Sequence, residues 1–320
     1  MKHEPISDET TPLPSTPDGW FDYAYAVLWN GDLAVVRTDG DVHAEVASWY
    51  DQIQRGNTHA PHPGFQGRHL RLSTFDGNTE SGAIEIPACP WPRVDRLPDG
   101  RWLVAKRRAE PDASNACLFA ADGTPAGTFA MGDGIAHIQC AEDGTIWVGY
   151  FDEGVFSGAS EGGSWPVSSS GIARFGSDGS VLWKFNDHAR DNLFIADCYA
   201  LTIDGSPLWC CAYEGFPIVK VERGVIRHWR NEVAGAKALA VDGDLVLLAG
   251  GYGDQSERIA LLHLGDDHQA QQIGESQFQR PDRNKARLVQ GRGATLHIVG
   301  QGNWTRLSVA AINANRIRGR

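Results

Sequence analysis

No run of about 18–20 apolar residues occurs in this chain, so no membrane-spanning helix is expected. The opening segment, Met1–Trp20, has no apolar stretch of the kind a secretory signal carries, and the expected location is cytoplasmic. Cysteine is sparse. Cys89, Cys117, Cys140, Cys198, Cys210 and Cys211 form no CxxC pair, and no group of Cys and His has zinc-ligand spacing. They read as small buried hydrophobes of a reducing compartment. Positive charge is in deficit, with 29 Lys and Arg against 40 Asp and Glu, a net charge of −11. Nucleic acids and anionic membrane surfaces select a basic field, so neither is expected as a partner. The chain also lacks a GxSxG elbow, a GxxxxGK[ST] loop, an HExxH helix and a GxGxxG turn opening a helix. That removes the best-marked hydrolases, nucleotidases, zinc proteases and dinucleotide enzymes.

What remains is strand and turn. Glycine is abundant at 37 residues, and 42% of the 320 residues are hydrophobic, enough for a substantial core in one domain, 1–320. A short turn signal recurs at Asn30-Gly31, Asp99-Gly100, Asp143-Gly144, Asp204-Gly205, Asp242-Gly243 and, more weakly, Arg292-Gly293. Each is flanked by apolar strand-like runs, and the spacing suits type I′ hairpins. The signals lie about 38–69 residues apart, the scale of a propeller blade. Most units carry a second hairpin, as at Gly171–Phe175, Asp178-Gly179 and Val181–Phe185. Each unit therefore reads as a four-stranded antiparallel meander. Six such sheets arranged radially make an all-β, six-bladed β-propeller.

The last unit is one strand short. After Trp304–Ile312, read as its third strand, only the polar tail Asn313–Arg320 follows, so residues 1–19 are expected to supply the outer strand that closes the ring. Their prolines suit an edge. Seven blades would follow if the 38–67 insertion hid strands, and five if the ends were irregular. Val42–Gln54, inside that insertion, is the one helical pattern, with Val42, Val46, Trp49, Tyr50 and Ile53 at helical spacing. A second insertion spans 151–170.

Glu142-Asp143-Gly144-Thr145-Ile146-Trp147-Val148-Gly149-Tyr150, followed by Gly171-Ile172-Ala173-Arg174-Phe175, resembles the repeat of bacterial two-component-regulator propellers, and is similar to NHL-type and other open propeller repeats. The match is good in one blade and partial in the rest. The resemblance implies a fold and no chemistry. Six-bladed lactonase propellers, which resemble the chain at fold scale, hold a calcium in the central channel, but their ligand set does not align onto these residues.

Long connections fall on one face of such a propeller and tight turns on the other, so a site belongs on the long-loop face, at the channel mouth. Three blades offer Tyr with an acid there: Tyr150 with Asp152 and Glu153, Tyr213 with Glu214, and Tyr252 with Asp254. Aromatic faces beside acids suit sugars, cationic groups or peptide side chains. The inner strands add His137, Asp197, Lys237 and Arg287 near the channel. Two functions follow. The first is a binding or scaffold protein presenting the long-loop face, with Tyr150, Asp152, Glu153, Tyr213, Glu214 and Tyr252, to a small ligand or partner protein. The second is a metal-assisted hydrolase or lyase of lactonase type. There Asp197, Glu153 and Glu214 would hold Ca²⁺ or another divalent metal, and His137 would act as general base. No other cofactor is indicated.

Overall fold

The computed structural model describes residues 9–57, 59, 63–110, 113–158, 165–190, 193–278, 287–300 and 302–318. Parts of the expected closing segment and of the 38–67 and 151–170 insertions lie outside these described residues. The strand β1 (Glu9–Pro12) precedes the first blade, which is β2 (Phe21–Val27), β3 (Leu33–Thr38), β4 (His69–Asp76) and β5 (Thr79–Pro87). The second is β6 (Pro92–Arg96), β7 (Trp102–Lys106), β8 (Ala116–Phe119) and β9 (Pro125–Phe129). The third is β10 (Ile135–Cys140), β11 (Ile146–Tyr150), β12 (Ile172–Phe175) and β13 (Val181–Lys184). The fourth is β14 (Asp197–Ile203), β15 (Leu208–Tyr213), β16 (Ile218–Glu222) and β17 (Val225–Trp229). The fifth is β18 (Ala238–Asp242), β19 (Leu245–Ala249), β20 (Arg258–Leu264) and β21 (Ala270–Gln277). The sixth is β22 (Leu288–Arg292), β23 (Thr295–Gly300) and β24 (Asn303–Ser308), with β1 added antiparallel outside β24. In that closing pair Glu9 stands opposite Arg306, and their side chains form an ion pair.

Six blades are therefore present, and the N-terminal segment closes the ring. The chain gathers no single central core. Instead, each gap between neighbouring blades holds its own apolar cluster, such as Leu103, Leu118, Ile138, Val148, Tyr150 and Phe175 between the second and third blades. The first blade's partner cluster uses Val36, Leu70, Leu72, Val94, Trp102 and Val104. Sheets stacked face to face pack this way because the second strands, such as β3, β11 and β15, bury both their odd and even residues, while outer strands such as β9 and β13 stay largely exposed.

The repeat motif is explained by this packing. Trp147 stands opposite Arg174, whose guanidinium carbon lies 5.3 Å from the indole centroid. Arg174 also donates to Asp143 Oδ2 at 2.7 Å and Thr145 Oγ1 at 3.1 Å. The motif stitches a turn to the third strand and bears no reactive group.

Two local expectations are corrected. The type I′ geometry expected at Asn30-Gly31, Asp99-Gly100 and Asp143-Gly144 is not formed, because only the glycine of each pair has positive φ. These are type I turns with a left-handed glycine, closed by bonds such as Gly31 N–H to Leu28 O at 3.0 Å. Asp143 Oδ1 accepts Thr145 N–H at 3.0 Å, and this Asx bond stabilises a right-handed aspartate. Arg223-Gly224 does have both residues at positive φ. The second correction concerns the end of the chain. The expected third strand stops at Ser308, and a helix, Val309–Arg318, follows. Ser308 Oγ caps it by accepting Ala311 N–H at 3.1 Å, while Val309 and Ile312 join the cluster between the fifth and sixth blades. The helical pattern of Val42–Gln54 is α1, capped by Asp41.

Candidate functional site

The two ends of the central channel are built differently. At the tight-turn end the inner strands converge on Arg292. It donates to Leu28 O at 3.0 Å, Gln139 Oε1 at 2.9 Å, Cys140 O at 2.9 Å and Asp95 Oδ2 at 3.2 Å. Gln139 in turn donates to Gly291 O at 2.8 Å and accepts Ile203 N–H at 3.0 Å. Asp95 accepts Cys140 N–H at 2.7 Å. Burial pushes the Asp95 carboxyl up, and Arg292 and two backbone N–H donors pull it down. Neighbouring inner strands come so close that a Cβ on Gly291 would sit 1.6 Å from Leu239 O. That end is closed by satisfied polar bonds.

The other end opens on the long-loop face as a cavity of about 790 Å³. Its walls come from the starts of β2, β6, β10 and β22, the residue before β18, the loop after β19, and α1. Aromatic surface is supplied by Tyr23, Tyr25, Trp91, Tyr252 and Phe278. Trp91 stands at the rim, 37% exposed, with φ of 47° between two prolines. A bulky residue in the left-handed region is strained, and here its N–H is held by the Tyr23 hydroxyl at 2.9 Å.

The charged lining is one-sided. Arg93, Arg107, Lys237 and Arg287 border the cavity with His43 and His137, and no Asp or Glu does so among the described residues. Arg93 Nε donates to Ala136 O at 3.0 Å. Burial and the neighbouring Arg107 lower Arg93 to about 10. Arg107 lies over the Phe151 ring at 4.6 Å, and Lys237 Nζ lies 4.3 Å from the Tyr199 ring centroid. His137 Nε2 lies 3.1 Å from Tyr199 O, so that nitrogen carries the proton. Burial, with Arg93 next, lowers His137 to about 4. Its imidazole is neutral and weakly basic near pH 7, which argues against the general-base role expected for it.

The predicted ligand residues separate into three groups. Tyr213 and Tyr252 do come together, through residues the sequence reading did not single out. Tyr199 stacks on Tyr213 at 6.0 Å between centroids, its hydroxyl is 2.7 Å from that of Tyr252, and Phe216 packs against all three. Tyr199 lies near the start of an inner strand, β14, and the packing of the fourth blade against the fifth brings it opposite Tyr252. Tyr150 is corrected: it is fully buried, its hydroxyl donates to Met131 O at 2.6 Å, and it packs between the second and third blades. Its counterpart in the next blade is Ala212, not Tyr213: Tyr150 pairs with Ile135 and Ala212 with Cys198, while Tyr213 lies one residue further on, opposite Asp197, and so points to the other face of its sheet.

The acids do not converge. Asp152 and Glu153 begin α2 (Asp152–Val155), where Glu153 pairs with Arg108, which also reaches Asp133 at 3.0 Å. Glu214 is exposed. Asp197 lies nearer the mouth, and burial together with Asp152 raises it to about 6, against the pull of Lys237 and Arg107. No group of three His, Cys, Asp or Glu able to hold a metal occurs among the described residues, so the expected set of Asp197, Glu153 and Glu214 is not assembled. The α2 turn directs Glu153 to arginine instead.

No family model matches the chain, and no curated protein matches it. Among solved structures it is similar to one described as a nidogen/laminin complex, at 13% identity over 75% of this chain and 86% of that one, with a TM-score of 0.44. It is similar to BamB from Moraxella catarrhalis at 12% identity over 74% and 78%, with a TM-score of 0.41. The β-propeller domain of Myceliophteria thermophila Cps50 (Swd1) covers 94% of this chain and 100% of its own length at 9% identity, with a TM-score of 0.49. At such identities fold, not function, is compared. No helix among the described residues is long and apolar enough to cross a membrane.

Proposed function

We propose that this protein is a non-catalytic binding propeller that captures a small molecule in the channel-mouth cavity and presents the surrounding long-loop face to a partner protein. One observation carries the reading. A concave space of about 790 Å³, within the range of small-ligand sites, lies at the long-loop end of the channel, and its walls combine aromatic faces with a few polar side chains. The strained Trp91 at its rim is a second support. A nucleophile beside an activated base is missing from the described lining, since His137 is held by a backbone carbonyl. The six unpaired cysteines support a cytoplasmic setting.

Intrinsic fluorescence tests the siting. A panel of sugars, acids and nucleotides is titrated into the protein and into Trp91→Phe. A ligand of the cavity raises the melting temperature in both and changes emission only in the first. A ligand bound at a hundred times its Kd stabilises by about 2.7 kcal/mol, well within reach of a melting scan. A binder whose affinity ignores both Trp91→Ala and Tyr252→Ala sits elsewhere and sinks the siting.

A further inference from the structure

The chain is acidic, yet its one-sided cavity lining is basic. We propose that the channel mouth is a site for a small organic anion bearing at least two negative charges, of the dicarboxylate or phosphorylated-sugar class, with Arg93, Arg107, Lys237 and Arg287 as its cationic contacts. The inference rests on the reading of the cavity as a small-ligand site.

Three observations carry it. First, none of these four side chains forms an ion pair among the described residues, whereas arginines elsewhere routinely do, as with Arg37 on Asp22, Arg68 on Glu45 and Arg174 on Asp143. Second, among the described residues the Arg93 guanidinium has one protein acceptor, the carbonyl of Ala136, and it lies close enough to Arg107 for the two charges to oppose one another. Asp197, close enough to feel Arg107 and Lys237, forms no ion pair with either among the described residues, whereas Arg292 at the opposite end is paired directly with Asp95, so the like charges at the mouth are left without a bonded counter-ion. Third, the cations come from three blades, and Arg107 and Lys237 are braced by aromatic rings rather than by carboxylates. That arrangement holds the charges in place and leaves their hydrogen-bond donors unspent. A monoanion would leave most of the repulsion in place, and two or more oxyanion groups relieve it. Tyr25, Trp91 and Tyr252 supply the apolar faces that an organic body, rather than free phosphate, would use.

The test uses the full chain at low ionic strength. Calorimetric titrations compare mono-, di- and tricarboxylates, inorganic phosphate, pyrophosphate and a sugar phosphate with a neutral polyol and spermidine. Expected is saturable binding of one or more di- or polyanions, weakened by added salt, with no binding of polyol or spermidine. Lys237→Gln and Arg287→Gln, both outside the sheet ladders, are each expected to weaken binding by about tenfold, or about 1.4 kcal/mol. Inorganic phosphate matching the organic anions would remove the organic body from the proposal and overturn that part. Failure of every anion overturns the whole. If a neutral ligand binds in the Trp91 fluorescence assay and ignores both charge removals, the small-ligand reading stands and the anion inference falls. If nothing binds there, both fall. A ligand-free readout runs beside these: Lys237→Gln should leave the melting temperature unchanged or raised, and a clear fall would mean the cations serve the fold.

Discussion

At the tight-turn end of the channel, Arg292 is buried against Asp95, Gln139 and two backbone carbonyls. At the long-loop end, Arg93, Arg107, Lys237 and Arg287 face a cavity with no carboxylate among the described lining residues. The same inner strands build both ends. One end spends its charges on holding the ring together. The other leaves them free, and free charge on a rigid scaffold is what recognition requires. The difference separates the part of the channel that the fold needs from the part that a ligand would use.

The largest expected effect is at the closed end. Asp95→Ala leaves Arg292 buried without its counter-charge and should lower stability by about 3–5 kcal/mol, read from urea unfolding. An effect as small as that of Lys237→Gln would dissolve the distinction between the ends.

Next comes acid sensitivity at the open end. His137 sits at about 4 in the fold, below its ordinary value of 6.5. Between those values the unfolded chain takes a proton that the folded one refuses, so stability is lost as pH falls from about 6.5 to 4. His137→Gln keeps a donor for Tyr199 O and should flatten that slope by about 2–3 kcal/mol. An unchanged pH profile of the melting temperature would place the acid sensitivity elsewhere, for example at His297, lowered to about 3 by burial.

Asp197 has the opposite sign. Its carboxyl is raised to about 6, so the folded state holds a proton that the unfolded state releases, and stability falls as pH rises from about 4 to 6. Asp197→Asn should therefore stabilise the protein at pH 7, by roughly 1 kcal/mol after allowing for solvent screening of a half-exposed group. Thermal unfolding at pH 4 and pH 7 checks it, and equal gains at both would contradict the assignment.

The smallest effect belongs to Arg107→Gln, which removes one member of the Arg93 pair. Stability should rise by a few tenths of a kcal/mol, within the ordinary range for surface changes. A loss beyond that range would give Arg107 a structural role through its Phe151 contact.

Legibility followed the same divide. The blade count, the ring closure by the N-terminal segment and α1 could be read because turn signals, alternation and helical spacing act over a few residues. The end of the chain was missed because apolar residues continue past the strand, with Leu307 followed by Val309 and Ile312, and Ser308, a cap, looks like any other strand serine. Tyr150 and Tyr213 each end a second strand, but β15 runs one residue longer than β11, and that single step turns Tyr213 to the other face. Lys237 and Arg287 were placed near the channel from strand order. Arg93 and Arg107 were not, and for Arg107 the signal available was the run of bases Lys106-Arg107-Arg108 at the end of an inner hairpin.

By itself the sequence determined the strands, the turns, the six repeats and the antiparallel order, since these depend on side-chain period and on residues that tolerate a bend. The tertiary structure alone decided which charges meet. His137, Arg93, Lys237 and Arg287 come from four different blades and share one cavity only because the ring closes. That closure also sends Asp95 to Arg292 across nearly two hundred residues of chain, a |i−j| of 197, and leaves the cations of the other end without an ion pair among the described residues. Coulomb interactions act through space at a few ångströms, and the order of residues along a chain does not record those distances.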